Sequence, residues 1–454
     1  MTISSKNLVA NINSKIATLS ANTGLKTVQL QSTDAKLQKA AIVVSVADIA
    51  SLPDPALNTG RMIFVLSISA YRYSNGVSWT RSYDTTLVYP NTLWTWGLNS
   101  YGQLGTGNTT ARSSPVTPAG CGTNWSSVSG GQSHTAAVKT DGTLWTWGIN
   151  GLGQLGDGTI TCRSSPGTTA GGGTNWSSVS AGGAFTAGIK IDGTLWTWGH
   201  NSVGKLGDGT ITNRSSPGTT AGGGTNWSSV SGGSSHTVGV KKDGTLWTWG
   251  SNTSGPLGDG TAITRSSPGT TVGGGTNWIS VSAGNLFSAA IKTDGTLWTW
   301  GSNAYGRLGD GTTVAQCSPG TTAGGGTNWS SVSAGTYHTA GIKTDGTLWT
   351  WGWNYRGLLG DGTMLCRSSP GTTAGGGTNW SSVDAGQHVT GGIKTDGTLW
   401  TWGCDLSGQL GDGAITNRSS PGTTAGGGTN WSSVSVAAAH TVTIQQTQSG
   451  FDAL

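Results

Sequence analysis

The string Leu-Trp-Thr-Trp-Gly begins at Leu93, Leu144, Leu195, Leu246, Leu297, Leu348 and Leu399, always 51 residues apart. An Asn-Trp pair keeps the same interval, with its indole at Trp125, Trp176, Trp227, Trp278, Trp329, Trp380 and Trp431. Together the two motifs hold all but two of the chain's 23 tryptophans. A period of this size marks a supersecondary unit that cannot bury its apolar face alone and must stack on its neighbours.

Each copy reads as four short strands. Around Trp380, Ser381–Ala385 and Thr390–Lys394 are two strands, and Asp396-Gly397 is a tight hairpin turn. Thr398–Trp402 alternates with period two, which puts both tryptophans on one face and Leu399 on the other. A Gly-rich loop from Gly403 to Gly413 leads to a strand through Arg418–Pro421. Proline cannot donate to a ladder, so this strand is expected at the outer edge of its sheet. Seven such units predict an all-β fold, a seven-bladed β-propeller of four-stranded antiparallel blades over 91–449, with a short tail at 450–454. The first copy starts at its third strand (93–97) and the last stops after its second, His440–Gln445. The strand at 93–97 is therefore expected to complete the last blade and close the ring.

Residues 1–90 lack the repeat and read as a small α+β segment for attachment or oligomerisation. Val9, Ile12, Ile16 and Leu19 suggest a short amphipathic helix. Arg61–Leu66 reads as a strand, and Asn75-Gly76 as the turn of a hairpin between Ala70–Tyr73 and Val77–Thr80.

Composition narrows the chemistry. All 19 acidic residues are Asp, so Glu-dependent catalysis is excluded, and charged residues make up only 9%. The net charge of +5 is thinly spread, with no basic run longer than Lys241-Lys242, which argues against nucleic acid as a partner. The five cysteines are irregularly spaced without a CxxC, as in a protein made in a reducing compartment. The start carries neither a basic nor an apolar signal region, and the longest apolar run, Ala40 to Val44, is far too short to insert in a membrane. The repeated tryptophans read as core, each contributing about 2–3 kcal/mol when buried.

Apparent catalytic motifs dissolve on inspection. Gly151–Gly156 matches GxGxxG, but six copies lack the first glycine and the loop joins antiparallel strands, not a strand to a helix. There is no GxSxG or HExxH. His134, His236, His338 and His440 share a position held by Phe185 and Phe287 in two other copies, so they read as packing residues. Asp157 and its equivalents stand singly in Gly-flanked turns. No catalytic residue, metal ligand or cofactor is expected, and the chain reads as a non-enzyme.

The copies differ in two places: before the second strand, as at Leu286 or Tyr337, and in the loop after the third strand, as at Trp353 to Arg356. Antiparallel order puts both on one face, while the AGGGTNW connections of the other face barely vary. Either a surface tuned to an asymmetric partner or drift of loop tips would produce this pattern. Within that face, Tyr337, Trp353, Tyr355 and Arg356 of one blade and Leu286, Phe287, Tyr305 and Arg307 of its neighbour are the candidate partner-binding residues, since Tyr, Trp and Arg anchor interfaces.

The run from Trp147 through Thr159, W-G-x-N-x-x-G-Q-L-G-x-G-T, followed by S-P and S-x-G-x-x-H-T elsewhere in the unit, resembles the regulator-of-chromosome-condensation repeat. That resemblance implies a seven-bladed propeller and a family of GTPase exchange factors, chromatin binders and an enzyme inhibitor. Departures are Thr106 for Asp, Phe185, Phe287 and Val389 for His, and Asp405 for Asn. Residues 50–82 resemble modules of tailed-phage tail fibres and other virion proteins. This implies a structural or binding protein of a virion, located in the tail or another external structure and made in the host cytoplasm. Its variable face would meet a host cell-surface glycan or protein, or another virion protein, and its N-terminal segment would dock on the particle, with homo-oligomerisation as a trimer. The alternative is a regulatory protein-binding propeller of the exchange-factor or inhibitor type, although the strict spacing leaves no room for an inserted wedge.

Overall fold

The structure, a computed structural model, describes residues 29–30, 42–43, 62–65, 70–74, 79–82, 91–120 and 122–446. The chain divides into two units, 1–90 with 448–454, and 91–447. In the first unit, Met62–Val65, Ala70–Ser74 and Trp79–Ser82 pair in that order as an antiparallel sheet. The expected strand and hairpin arms are present, the last starting two residues later than the sequence suggested. The helix expected around Val9–Leu19 and the Asn75-Gly76 turn lie outside the described residues.

The second unit is a seven-bladed propeller. Six blades cover 125–168, 176–219, 227–270, 278–321, 329–372 and 380–423, each with four antiparallel strands paired in chain order. The seventh joins Trp431–Val436 and His440–Gln446 to Asn91–Gly97 and Arg112–Val116. Its closing pair runs from His440 opposite Gly97 to Gln446 opposite Asn91. The ring is therefore closed by hydrogen bonds between the two ends of the repeat array. Among the described residues the only helical turn is Ala304–Gly306.

Local chemistry builds the blade. In the hairpin turn, Asp141 Oδ1 accepts from the N–H and hydroxyl of Thr143 at 2.9 and 2.7 Å, and Trp145 Nε1 donates to the same Thr143 oxygen. The next tryptophan, Trp147, is fully buried and donates across the blade boundary to the carbonyl of Gln103 at 2.9 Å. Trp176 of the following copy stands edge-on to Trp196 and Trp198, with centroids 6.4 and 5.8 Å apart, and packs on Val138 and Leu144 of the blade before it. The first indole of each third strand is only part-buried. In six of the seven blades a lysine lies over it, as Lys190 does at 4.1 Å from the Trp196 centroid; the ring-closing blade has Gln445 at that position. Two of the three repeated indoles are thus core, and the third is a lid with a cation on it in those six blades.

The innermost strands are stitched around the axis. Ser129 Oγ accepts from the Ala181 N–H of the next blade, and the pattern continues through Ser180, Ser231, Ser282 and Ser333 to Ser435, which accepts from Gly130. In the sixth blade the serine is Asp384, whose Oδ2 accepts from Val436 N–H at 2.7 Å. Seven such bonds make a continuous girdle, which an open spiral could not complete. Close approach at the axis also explains a glycine. A Cβ on Gly335 would lie 2.5 Å from the Gly386 carbonyl oxygen.

Candidate functional site

Both variable clusters emerge on the same face, because the backbone ties them together. The loop after each third strand donates to the loop before the second strand of the same blade: Ile149 to Ser133, His200 to Ala184, Ser302 to Leu286, Trp353 to Tyr337 and Cys404 to His388, at 2.8–3.0 Å. Around the axis, Gln132, Gly183, Ser234, Asn285, Thr336, Gln387 and Ala438 ring the mouth of a polar channel of about 330 Å³.

Four of the eight expected residues form one aromatic cluster. Tyr337 and Trp353 lie 5.3 Å apart by ring centroid, Trp353 and Tyr355 5.7 Å, and Tyr305 reaches both Trp353 and Tyr355 at about 6.5 Å from the neighbouring blade. The rings meet edge-on or tilted, the geometry that their quadrupoles favour. They form a filled shelf. Tyr355 is 62% and Tyr305 45% exposed, while Trp353 and Tyr337 are half-buried beneath them. Tyr305 holds φ = +65° and Leu286 φ = +62°, a backbone region costly for large side chains.

His388 completes the shelf, stacked on Tyr337 with centroids 5.7 Å and planes 30° apart. Burial first, and then the Arg356 guanidinium, push its pKa down, so the ring is neutral at neutral pH. The sequence reading missed it as a site residue. Its signal was present in the same variable doublet, Gln387-His388, that placed Tyr337.

Two expected residues are corrected. Phe287 is fully buried, and Arg307 is 5% exposed. The guanidinium donates to the carbonyls of Ala304, Asn285 and Thr336 and lies 5.7 Å from the Phe287 centroid. Lys205 and Phe185 repeat the arrangement two blades earlier, at 5.8 Å. Burial pushes the Lys205 pKa down to about 8, and its Nζ contacts His200 Nδ1 and the Ser234 carbonyl. In both blades phenylalanine stands where others carry histidine, and a long cation fills the space beside it. These are structural pairs, not contact residues. Leu286 is half-buried, and Arg356 donates to Cys404 Sγ at 3.0 Å along the shelf edge.

The repeated histidines pack as expected. Thr186 Oγ1 gives its hydrogen to the Gln154 carbonyl, so His134 must donate Nε2–H to Thr186 at 3.0 Å, and its Nδ1 is left without a partner. Each LGDG aspartate is a hub. Asp157 accepts from Thr159 and Asn150 and forms an ion pair with Arg163 at 3.0 Å. A third, milder place where the copies differ follows LGDGT, as at Thr363 to Cys366. The structure shows exposed aliphatic residues there, Ile160, Ile211, Ile263, Val314, Leu365 and Ile415, each 65–73% exposed, which the sequence reading did not count as site residues.

Comparison with known proteins agrees with this architecture. The RCC1-like domain family matches residues 165–451, well over half of the chain, and the regulator of chromosome condensation (RCC1) repeat matches 91–138 and 125–154. The ultraviolet-B receptor UVR8 of Arabidopsis thaliana is 33% identical over 302 residues, covering 65% of this chain and 69% of that protein. The human E3 ubiquitin-protein ligase HERC2 is 29% identical over 290 residues, 61% of this chain but only 6% of that protein. Yeast RCC1 (Prp20), solved bound to Kap60, superposes with a TM-score of 0.69 at 18% identity, over 80% of this chain and 90% of that one, which shows the fold. These relatives come from a plant, a human and a yeast. They overturn the virion location expected from the N-terminal segment, and they fit the regulatory protein-binding alternative better than the tail-fibre reading.

Proposed function

Starting from the premise that the chain belongs to the RCC1-like domain family, we propose that it is a regulatory protein-binding propeller, without catalysis of its own, whose partner docks on the face bearing Tyr305, Tyr337, Trp353, Tyr355 and His388. The aromatic shelf carries this reading. It gathers into one place the residue types that dominate interface energetics, beside an arginine, whereas the other blades carry small, aliphatic or single ring residues at the same positions, as at Ser251, Leu98, Ile149 and His200. Strained φ values at Leu286 and Tyr305 in the same region support it, because such strain is kept where a surface shape is needed. Binding or inhibition is favoured over nucleotide exchange: the variable loops keep one length through all seven copies, so no blade projects a wedge.

The test is site-specific crosslinking with a photoreactive phenylalanine analogue at Tyr355, followed by affinity measurement with the protein so captured. Trp353→Ala with Tyr355→Ala should weaken that complex by about 30-fold, roughly 2 kcal/mol. Ile191→Ala, at an exposed hairpin turn of the opposite face, should leave it unchanged. Undiminished affinity in the shelf variant would refute the proposal.

A further inference from the structure

An asparagine closes the loop after the third strand in six blades; Asn99 of the ring-closing blade accepts from Leu104 N–H and faces Thr106, and the other five face the hub aspartate. Asn150, Asn201, Asn252, Asn303 and Asn354 each accept a leucine N–H on Oδ1 at 2.9–3.0 Å. Their Nδ2 donates to the hub aspartate at 3.0–3.2 Å. The sixth blade departs from this scheme. Its asparagine is Asp405, and the threonine whose hydroxyl helps hold the amide in the five blades is Ala414.

Asp405 Oδ1 keeps its place, accepting from Leu410 N–H at 2.9 Å. Oδ2 therefore sits where the amide nitrogen sits elsewhere. The residue is fully buried, and that oxygen has no hydrogen-bond partner. Opposite it, Asp412 accepts from Ala414 N–H on Oδ1 and pairs with Arg418 on Oδ2 at 2.6 Å. Where five blades have donor against acceptor, the sixth has two acceptors. Two carboxylates that face each other where the other blades have an amide against a carboxylate do not both stay ionised when one is buried.

We propose that Asp405 and Asp412 share one proton, carried on Asp405 Oδ2 and donated to Asp412, so that a proton closes this loop where an amide closes the others. The charged groups facing the pair are Arg418 on the outer strand of the same blade and, at the adjoining Cys404, Arg356 of the fifth blade. Burial first, and the Asp412 charge after it, raise the Asp405 pKa to about 6. A carboxyl raised in the native state contributes its stability in full below its unfolded value, near 4, and loses it as pH climbs through about 6. The loop so closed borders the aromatic shelf, because Cys404 N–H bonds the His388 carbonyl and its sulfur accepts from Arg356.

The experiment compares the full chain with Asp405→Asn, which restores the amide of the other blades. The variant's lead in melting temperature should grow by about 2–3 °C between pH 5 and pH 7.5. Infrared difference spectra between the two proteins at pH 5 should show a carboxylic-acid C=O band in the parent that falls to about half near pH 6 and is lost by about pH 7.5. A melting gap independent of pH, or no such band, would overturn the proposal. So would a melting rise in the parent on adding calcium at pH 7.5 that the variant lacks, since the pair would then hold a metal instead of a proton.

Discussion

Acidification should unfold this propeller through four histidines. His134, His236, His338 and His440 are buried, and burial depresses their pKa to about 4 for the first and about 3 for the others, against an unfolded value near 6.5. The unfolded chain therefore binds more protons throughout that window, so stability falls as pH falls from about 6.5 towards 3. At pH 5 each ring has lost about 1.5 units' worth, roughly 2 kcal/mol, and the four together about 8 kcal/mol. A domain typically holds about 5–15 kcal/mol in all. Denaturant titrations followed by tryptophan fluorescence at pH 7.5, 6 and 5 should show this steep loss. The decisive perturbation is His236→Phe, a residue already accepted at the same position as Phe185 and Phe287. That variant should match the parent within about 1 kcal/mol at pH 7.5 and lose about 2 kcal/mol less on going to pH 5. Equal pH slopes in parent and variant would refute the argument, because they would mean that the buried ring is not the group taking up the proton.

Two further perturbations separate structure from recognition. Arg307→Met strands three carbonyls that the guanidinium now satisfies and should cost about 2–3 kcal/mol in denaturant midpoint analysis, whereas Tyr355→Ala, on the exposed shelf, should cost under about 0.5 kcal/mol. Gly309→Ala forces a side chain into φ = +71° and puts its Cβ 2.6 Å from Trp351 Nε1, so thermal unfolding should report a loss of about 3 kcal/mol or more; a neutral outcome would contradict the packing described here.

The fold was open to reading because a repeat multiplies its own signal. A single Thr-Leu-Trp-Thr-Trp is a strand among many, but seven at one spacing demand a shared geometry, and the missing strand of the last copy names its own replacement in Asn91–Gly97. The aromatic cluster was readable for the same reason in reverse: Tyr337, Trp353 and Tyr355 stand out because no other copy has Tyr or Trp at these three positions. Comparison between copies reveals that a position varies, but not which way its side chain turns. Phe287 and Arg307 were drawn into the site on that ground, although they vary to compensate each other inside the blade. The clue lay in their pairing, since the two copies with Phe185 and Phe287 are the two with Lys205 and Arg307.

Near-identical copies also act as internal controls for physical chemistry. Asp405 could be seen in the sequence only as one departure from a motif. Its meaning depends on what the equivalent amide does in the other blades, and that is a matter of angstroms: five Nδ2 atoms aimed at five carboxylates fix where a sixth polar atom must lie and what it must face. Asp384 makes the complementary case. It too replaces a uniform polar residue, and burial raises its pKa, yet its oxygens receive Ser333 Oγ and Val436 N–H, donors that the girdle already supplied to or required of a serine. One carboxylate inherits donors and fits the scheme; the other inherits acceptors and needs a proton. In a scaffold this repetitive, functional singularity is found where a substitution reverses the polarity of a contact that every other copy makes, more than where a residue merely looks unusual.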